Sequence, residues 1–132
     1  MARLIVLDAA VIIAHLNPDD AHHAQARQLL RDVAGEPLCT NPLNMAEALV
    51  VPAREGRLGQ TLLALHKLGL QTIPFPQESP TLLALLRVET GLRMPDCCVL
   101  LAADVTRGSI ATFDHRLAAA ATARGHTVLG VQ

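Results

Sequence analysis

Apolar and polar positions along this chain run in two rhythms. "RLIVLD" (3–8) is short, β-branched and apolar on both faces, which predicts a buried parallel strand. "AAVIIAHL" reads as a short helix closed by "NPDD". Asp19 is the expected N-cap of the next helix, which runs to about Val33 with Gly35 as its stop. "PLCT" is a brief strand. "NPLNMAEALVVPAREG" opens on Asn41 as cap and Pro42 at the first helical position, and Pro52 should kink or end it. "RLGQTLLALHKLG" is a helix and "LQTIPF" a strand. "ESPTLLALLRVETG" starts at the Ser79–Pro80 pair and stops at Gly91. "MPDCCVLLAADVTRG" has Pro95 near its start and Gly108 at its end. "SIATFD", "HRLAAAATARG" and "TVLGV" close the chain as strand, helix and strand.

Strands alternating with helices imply a parallel sheet covered on both faces. No repeat, low-complexity tract or linker divides the 132 residues, so one domain over 1–132 is expected, long enough to bury a core. From Leu4 to Ala14 every residue is apolar except Asp8. A carboxylate inside such a run needs a reason.

Most of the twelve acids sit where water would reach them, at helix ends or on polar faces: Asp19, Asp20, Asp32, Glu36, Glu55, Glu78 and Glu89. Four do not. Asp8 and Asp114 each end a strand, and in an open parallel sheet the carboxyl ends of the strands line the crevice where ligands bind. Glu47 and Asp96 fall on the apolar stripes of their helices, with Leu43, Val50 and Val51 beside the first and Val99 and Leu100 beside the second. Asp96 also lies in a first helical turn, where the macrodipole favours negative charge. A Pro-Asp pair at a helix start is an ordinary capping device too, and Glu47 alone could be a half-exposed helix acid. Four converging acids would repel one another unless a cation compensates. An all-oxygen set points to Mg²⁺ or Mn²⁺. The six histidines show no zinc spacing. His115, next to Asp114, reads as a surface residue.

Composition narrows the partners. Two Phe, no Tyr and no Trp leave an aliphatic core and no stacking platform for unpaired bases. A net charge of −1 provides no global field toward nucleic acid or membrane, so any polyanion surface is local. Ten of the eleven basic residues are Arg; Arg93 and Arg116, each close in sequence to one of the four acids, are candidates for forked contacts to phosphate. Cys39, Cys97 and Cys98 have no disulfide spacing and read as buried, reduced thiols of a cytoplasmic protein. No uncharged apolar run reaches membrane-spanning length, and the N-terminus lacks the marks of a signal peptide.

"LIVLDAAVIIAHL", "NMAEAL", "MPDCCVLLAA" and "IATFDHRLA", in this order and at these spacings, resemble the four acidic motifs of PIN-domain proteins, specifically the VapC-type toxin ribonucleases of bacterial toxin–antitoxin pairs. The similarity runs nearly end to end. It implies a three-layer α/β/α fold with a mostly parallel central sheet of about five strands. It also implies that Asp8, Glu47, Asp96 and Asp114 hold one or two Mg²⁺ or Mn²⁺ ions and cut RNA. Thr112 matches a supporting hydroxyl two residues before the last acid. Asn44 stands where the family often has Ser, Thr or Asn, to cap the turn or bond a carboxylate. An antitoxin partner is implied as well. The leucine-rich "TLLALHKLG" and "TLLALLRVETG" suit an antitoxin groove or a homodimer interface.

One departure stands out. The family commonly follows its first Asp with small hydroxyl or amide residues; here they are Ala9 and Ala10. Neither can hydrogen-bond a metal ligand, which leaves an inactive interaction module as the alternative. Aspartyl-phosphate chemistry fares worse. A second Asp would be needed where Ala10 stands, and a receiver domain needs a late Lys, whereas the only Lys is Lys67.

Overall fold

Five short strands carry the architecture of the computed structural model, which describes residues 3–131. They are β1 (Ile5–Leu7), β2 (Leu38–Thr40), β3 (Leu70–Thr72), β4 (Ser109–Ala111) and β5 (Val128–Leu129). All four pairings are parallel and the order is β3-β2-β1-β4-β5. Seven helices connect them: α1 (Ala9–Leu16), α2 (His23–Asp32), α3 (Pro42–Arg54), α4 (Leu58–Leu68), α5 (Ser79–Thr90), α6 (Met94–Thr106) and α7 (His115–Ala123). This is the single-domain α/β/α arrangement expected from the alternation of patterns.

The period of two along each strand separates the two faces. Val6, Cys39 and Ile110 pack on one side with Leu86 of α5, Leu100 of α6 and Leu117 of α7. Ile5, Leu7, Leu38 and Ala111 pack on the other with Val11, Leu29, Ala48 and Leu65 of α1 to α4. Helix α6 is the most enclosed, buried without interruption from Cys97 to Ala103. All three thiols are free and buried. Burial pushes Cys39 and Cys98 up to about 11, so they serve as small apolar side chains.

Several local expectations need correcting. Asp19 does not cap α2; the helix begins later, after His22, and the Asp20 carboxylate instead accepts the His22 N–H at 2.8 Å. Ser79 is the first residue of α5, not its cap. Helix α3 passes through Pro52 and ends at Arg54. A proline this near the C-terminus removes one N–H and leaves the turns before it intact. Helix α6 stops on Arg107, left-handed at φ 56°, and Gly108 has another task. A Cβ at Gly108 would lie 2.6 Å from the Leu4 carbonyl oxygen, so only glycine lets β4 start beside β1.

Among the described residues no helix is long and apolar enough to cross a membrane.

Candidate active site

The registers align the carboxyl ends of the central strands. Leu7 stands opposite Ala111, so the residues after them, Asp8 and Thr112, emerge at one edge. The chain builds outward from β1 through β2 to β3, then returns to the other side with β4 and β5. The crevice between β1 and β4 is therefore the switch point of the sheet, where parallel α/β proteins bind ligands.

Asp8 is 5% exposed. One carboxylate oxygen caps α1 by accepting the Val11 N–H at 2.9 Å. The other accepts the Thr112 hydroxyl, which in turn accepts the Asp114 N–H at 3.0 Å. Thr112 thus joins the first acid to the last. Asp114 is exposed and caps α7, its Oδ1 accepting from the Arg116 and Leu117 N–H groups. Asp96 sits in the first turn of α6, its side chain 14% exposed, 3.9 Å from the Arg93 guanidinium.

Asp8 and Asp96 are both shifted by their surroundings. Burial raises Asp8 above the usual carboxylate range, against the Thr112 and Val11 hydrogen bonds, and the charges of Asp96 and Asp114 raise it further. Burial, then Asp114, raises Asp96, while Arg93 and Arg116 pull it back. Glu47 is exposed on α3, close enough to α6 for its charge to help raise the Cys98 thiol, two residues after Asp96. It borders a cavity of about 600 Å³ between α1, α3 and α4, floored by Ile13, Leu16, Ala48 and Val51 and edged by Asp19 and Glu55.

Among the described residues no three His, Cys, Asp or Glu side chains are grouped as a metal site. The donor chemistry of Asp8, Asp96 and Asp114 fits a hard divalent cation, since all their atoms are carboxylate oxygens. Their spacing is open, with no three of them grouped among the described residues.

Asn44 bonds no carboxylate among the described residues, and it closes the turn into α1 from a neighbouring helix. Its side chain accepts the Ala9 N–H at 2.9 Å and donates to the Pro95 carbonyl at 3.0 Å. Two further features were not legible in the sequence. His22, exposed, stacks on Phe113 with ring centroids 4.9 Å apart, which supplies one stacked pair beside Asp114 despite the scarcity of Phe. Asp104 holds Arg124 and His126, both at 2.7 Å. His115 is exposed, as expected.

The family model described as PIN domain matches residues 5–123. The chain belongs to the PIN-domain family. No curated protein matches its sequence. Among solved structures, a toxin–antitoxin complex from Klebsiella pneumoniae is 22% identical with a TM-score of 0.69, over 83% of this chain and 86% of that one. VapC20 from Mycobacterium tuberculosis, a sarcin-ricin-loop-cleaving toxin, is 16% identical with a TM-score of 0.71, over 88% and 94%. FitAcB from Neisseria gonorrhoeae is 21% identical with a TM-score of 0.70, over 95% and 96%. At these identities the likeness is one of fold, the PIN-domain fold.

Proposed function

We infer that this PIN domain is the toxin of a toxin–antitoxin pair, and that it cuts RNA with a weakly held divalent cation. The observation that carries the reading is that Asp8 and Asp96, both raised first by burial, are raised further by the charge of Asp114 at the switch-point crevice. Mg²⁺ or Mn²⁺, when bound, would acidify a water and stabilise charge on the scissile phosphate. Asp8 and Asp96 are assigned the direct contacts. Asp114 completes the trio with the oxygen not engaged at the α7 cap. Glu47 is left the outer role, holding water on the groove side. Arg93 and Arg116, both near Asp96, are placed to meet the RNA backbone.

A second reading has its own support. The open spacing of the acids, together with Ala9 and Ala10, favours a PIN-fold interaction module with little or no turnover. That reading accounts for the isolated geometry more directly than rapid catalysis does. Calorimetry with Mn²⁺ and an RNA-cleavage assay, each with and without chelator, separate the two. Millimolar or tighter binding with chelator-sensitive cleavage, lost in Asp96→Asn, supports the nuclease. No binding and no cleavage supports the module, and undiminished cleavage by Asp96→Asn would remove Asp96 from the site.

The cavity between α1, α3 and α4 is the surface we assign to the antitoxin. Its apolar floor and the acids Asp19, Glu47 and Glu55 at its edge suit an amphipathic helix with basic residues. A homodimer is assigned to α5, where Leu85 and Val88 are 61% and 85% exposed, and light scattering of the isolated chain tests it. Free, buried thiols accord with work in a reducing compartment such as the cytoplasm.

A further inference from the structure

The geometry points to Asn44 as a positioning residue that fixes Asp8 and Asp96 relative to each other, from a helix that contributes neither acid. It rests on the cation-binding reading above. The two residues it grips are the immediate chain neighbours of those acids. Its Oδ1 accepts the Ala9 N–H at 2.9 Å, one residue after Asp8. Its Nδ2 donates to the Pro95 carbonyl at 3.0 Å, one residue before Asp96. One planar amide, 2% exposed, therefore joins the β1–α1 turn, 35 residues before it, to the start of α6, 51 residues after it. An amide is the one short side chain that accepts at one end and donates at the other in a fixed plane.

Asn44 is itself held. Its N–H donates to the Asn41 side chain at 2.9 Å and its Nδ2 also reaches the same oxygen at 3.3 Å. Those two donors to a single atom fix the orientation of Asn41, whose residue caps α3 and is 1% exposed. The chain thus runs from the end of β2 through Asn41 and Asn44 to both acid-bearing segments. It supplies from α3 the hydrogen-bonding support that Ala9 and Ala10 cannot give with their side chains. Ala9 takes part through its backbone instead.

A residue that only staples the fold would change stability and leave the cation site alone. Thr40 is the matched control. It is fully buried, and its hydroxyl donates to the Leu7 carbonyl at 2.8 Å, beside Asp8 but touching no acid-bearing turn of α6. The full chain, Asn44→Ala and Thr40→Val are titrated with Mn²⁺ by calorimetry, and their Tm values are measured without metal. Both variants are expected to lose Tm. Only Asn44→Ala is expected to weaken Mn²⁺ binding, roughly 10- to 100-fold. Asn44→Ser, which keeps a shorter polar group, serves where the alanine variant fails to fold and should fall between. An unchanged Mn²⁺ affinity in folded Asn44 variants overturns the proposal, as does equal weakening in Thr40→Val. A wild-type chain that binds Mn²⁺ without cutting RNA overturns the nuclease reading and leaves Asn44 to be judged on affinity. A wild-type chain that binds no Mn²⁺ overturns both.

Discussion

Asp96 shows how a single residue sets function against stability. Its carboxyl is raised by burial and by Asp114, so the folded state binds its proton more tightly than the unfolded chain does. Between the ordinary value of 3.8 and that raised value, the folded protein carries the extra proton, and stability falls as pH rises through the window. Above the window the full penalty of a buried, repelled charge persists. Asp96→Asn should therefore raise Tm at pH 7, with a gain that shrinks as pH drops toward 4, and under the proposed nuclease reading it should also abolish cleavage. Circular-dichroism melts across pH check this, and a lower Tm at pH 7 contradicts it. Thr112 carries the opposite sign. Thr112→Val leaves one Asp8 oxygen and the Asp114 N–H without their partner, which should cost about 1–3 kcal/mol in urea unfolding despite the matched shape.

At the scale of elements, the site depends on how strands end and helices begin. Asp8, Asn41 and Asp114 follow β1, β2 and β4 and cap α1, α3 and α7 with their side chains. Each turn from strand to helix therefore places a polar side chain at the same sheet edge. The cap chemistry and the candidate site share residues, so the site cannot move without loosening helices. Gly130 guards the same edge from behind. It is left-handed at φ 97°, and a Cβ there would lie 2.7 Å from the Thr112 carbonyl and 2.9 Å from a Leu29 methyl. Gly130→Ala should lower stability by about 2 kcal/mol or more, from backbone strain together with the clash. An unchanged denaturation midpoint would mean that the segment after β5 yields freely. The α6 ending teaches a related lesson. Gly108 looks like a helix stop in sequence, yet Arg107 takes the left-handed position and the glycine is kept for contact with Leu4.

Over the whole molecule, acids serve different ends. Asp8 bonds Thr112 at the crevice, and Asp104 anchors a network toward the other end of α6. Arg124 bonds Asp104 at 2.7 Å and Glu89 at 3.0 Å, and His126 bonds the second Asp104 oxygen. The network ties α5, α6 and the end of α7 to the approach to β5. Asp104→Ala should cost about 1 kcal/mol or slightly more, since the pair is only partly buried, and high salt should shrink the difference. Equal loss at low and high salt would assign the effect to packing instead. The network lies away from the crevice, so the variant should leave Mn²⁺ affinity unchanged.

The sequence by itself determined the alternation of elements, the parallel α/β/α architecture, the aliphatic core with its buried thiols, and the short list of acids worth testing. These follow from local rules: side-chain period, turn residues and the cost of an unpaired carboxylate in an apolar run. Only the tertiary structure decided which of those acids meet. Glu47 and Asp96 each fall on the apolar stripe of their own helix, yet Glu47 is exposed beside a groove and the Asp96 side chain is 14% exposed. Thr112 reaches Asp8 across 104 residues, and Asn44 reaches Ala9 across 35. Such meetings depend on strand register and helix docking, which no local window of sequence contains. Asp8, the charge inside the apolar run, is explained at both levels. Its place at a strand end is written in the sequence, and its cap, its Thr112 partner and its repelling neighbours exist only in the fold.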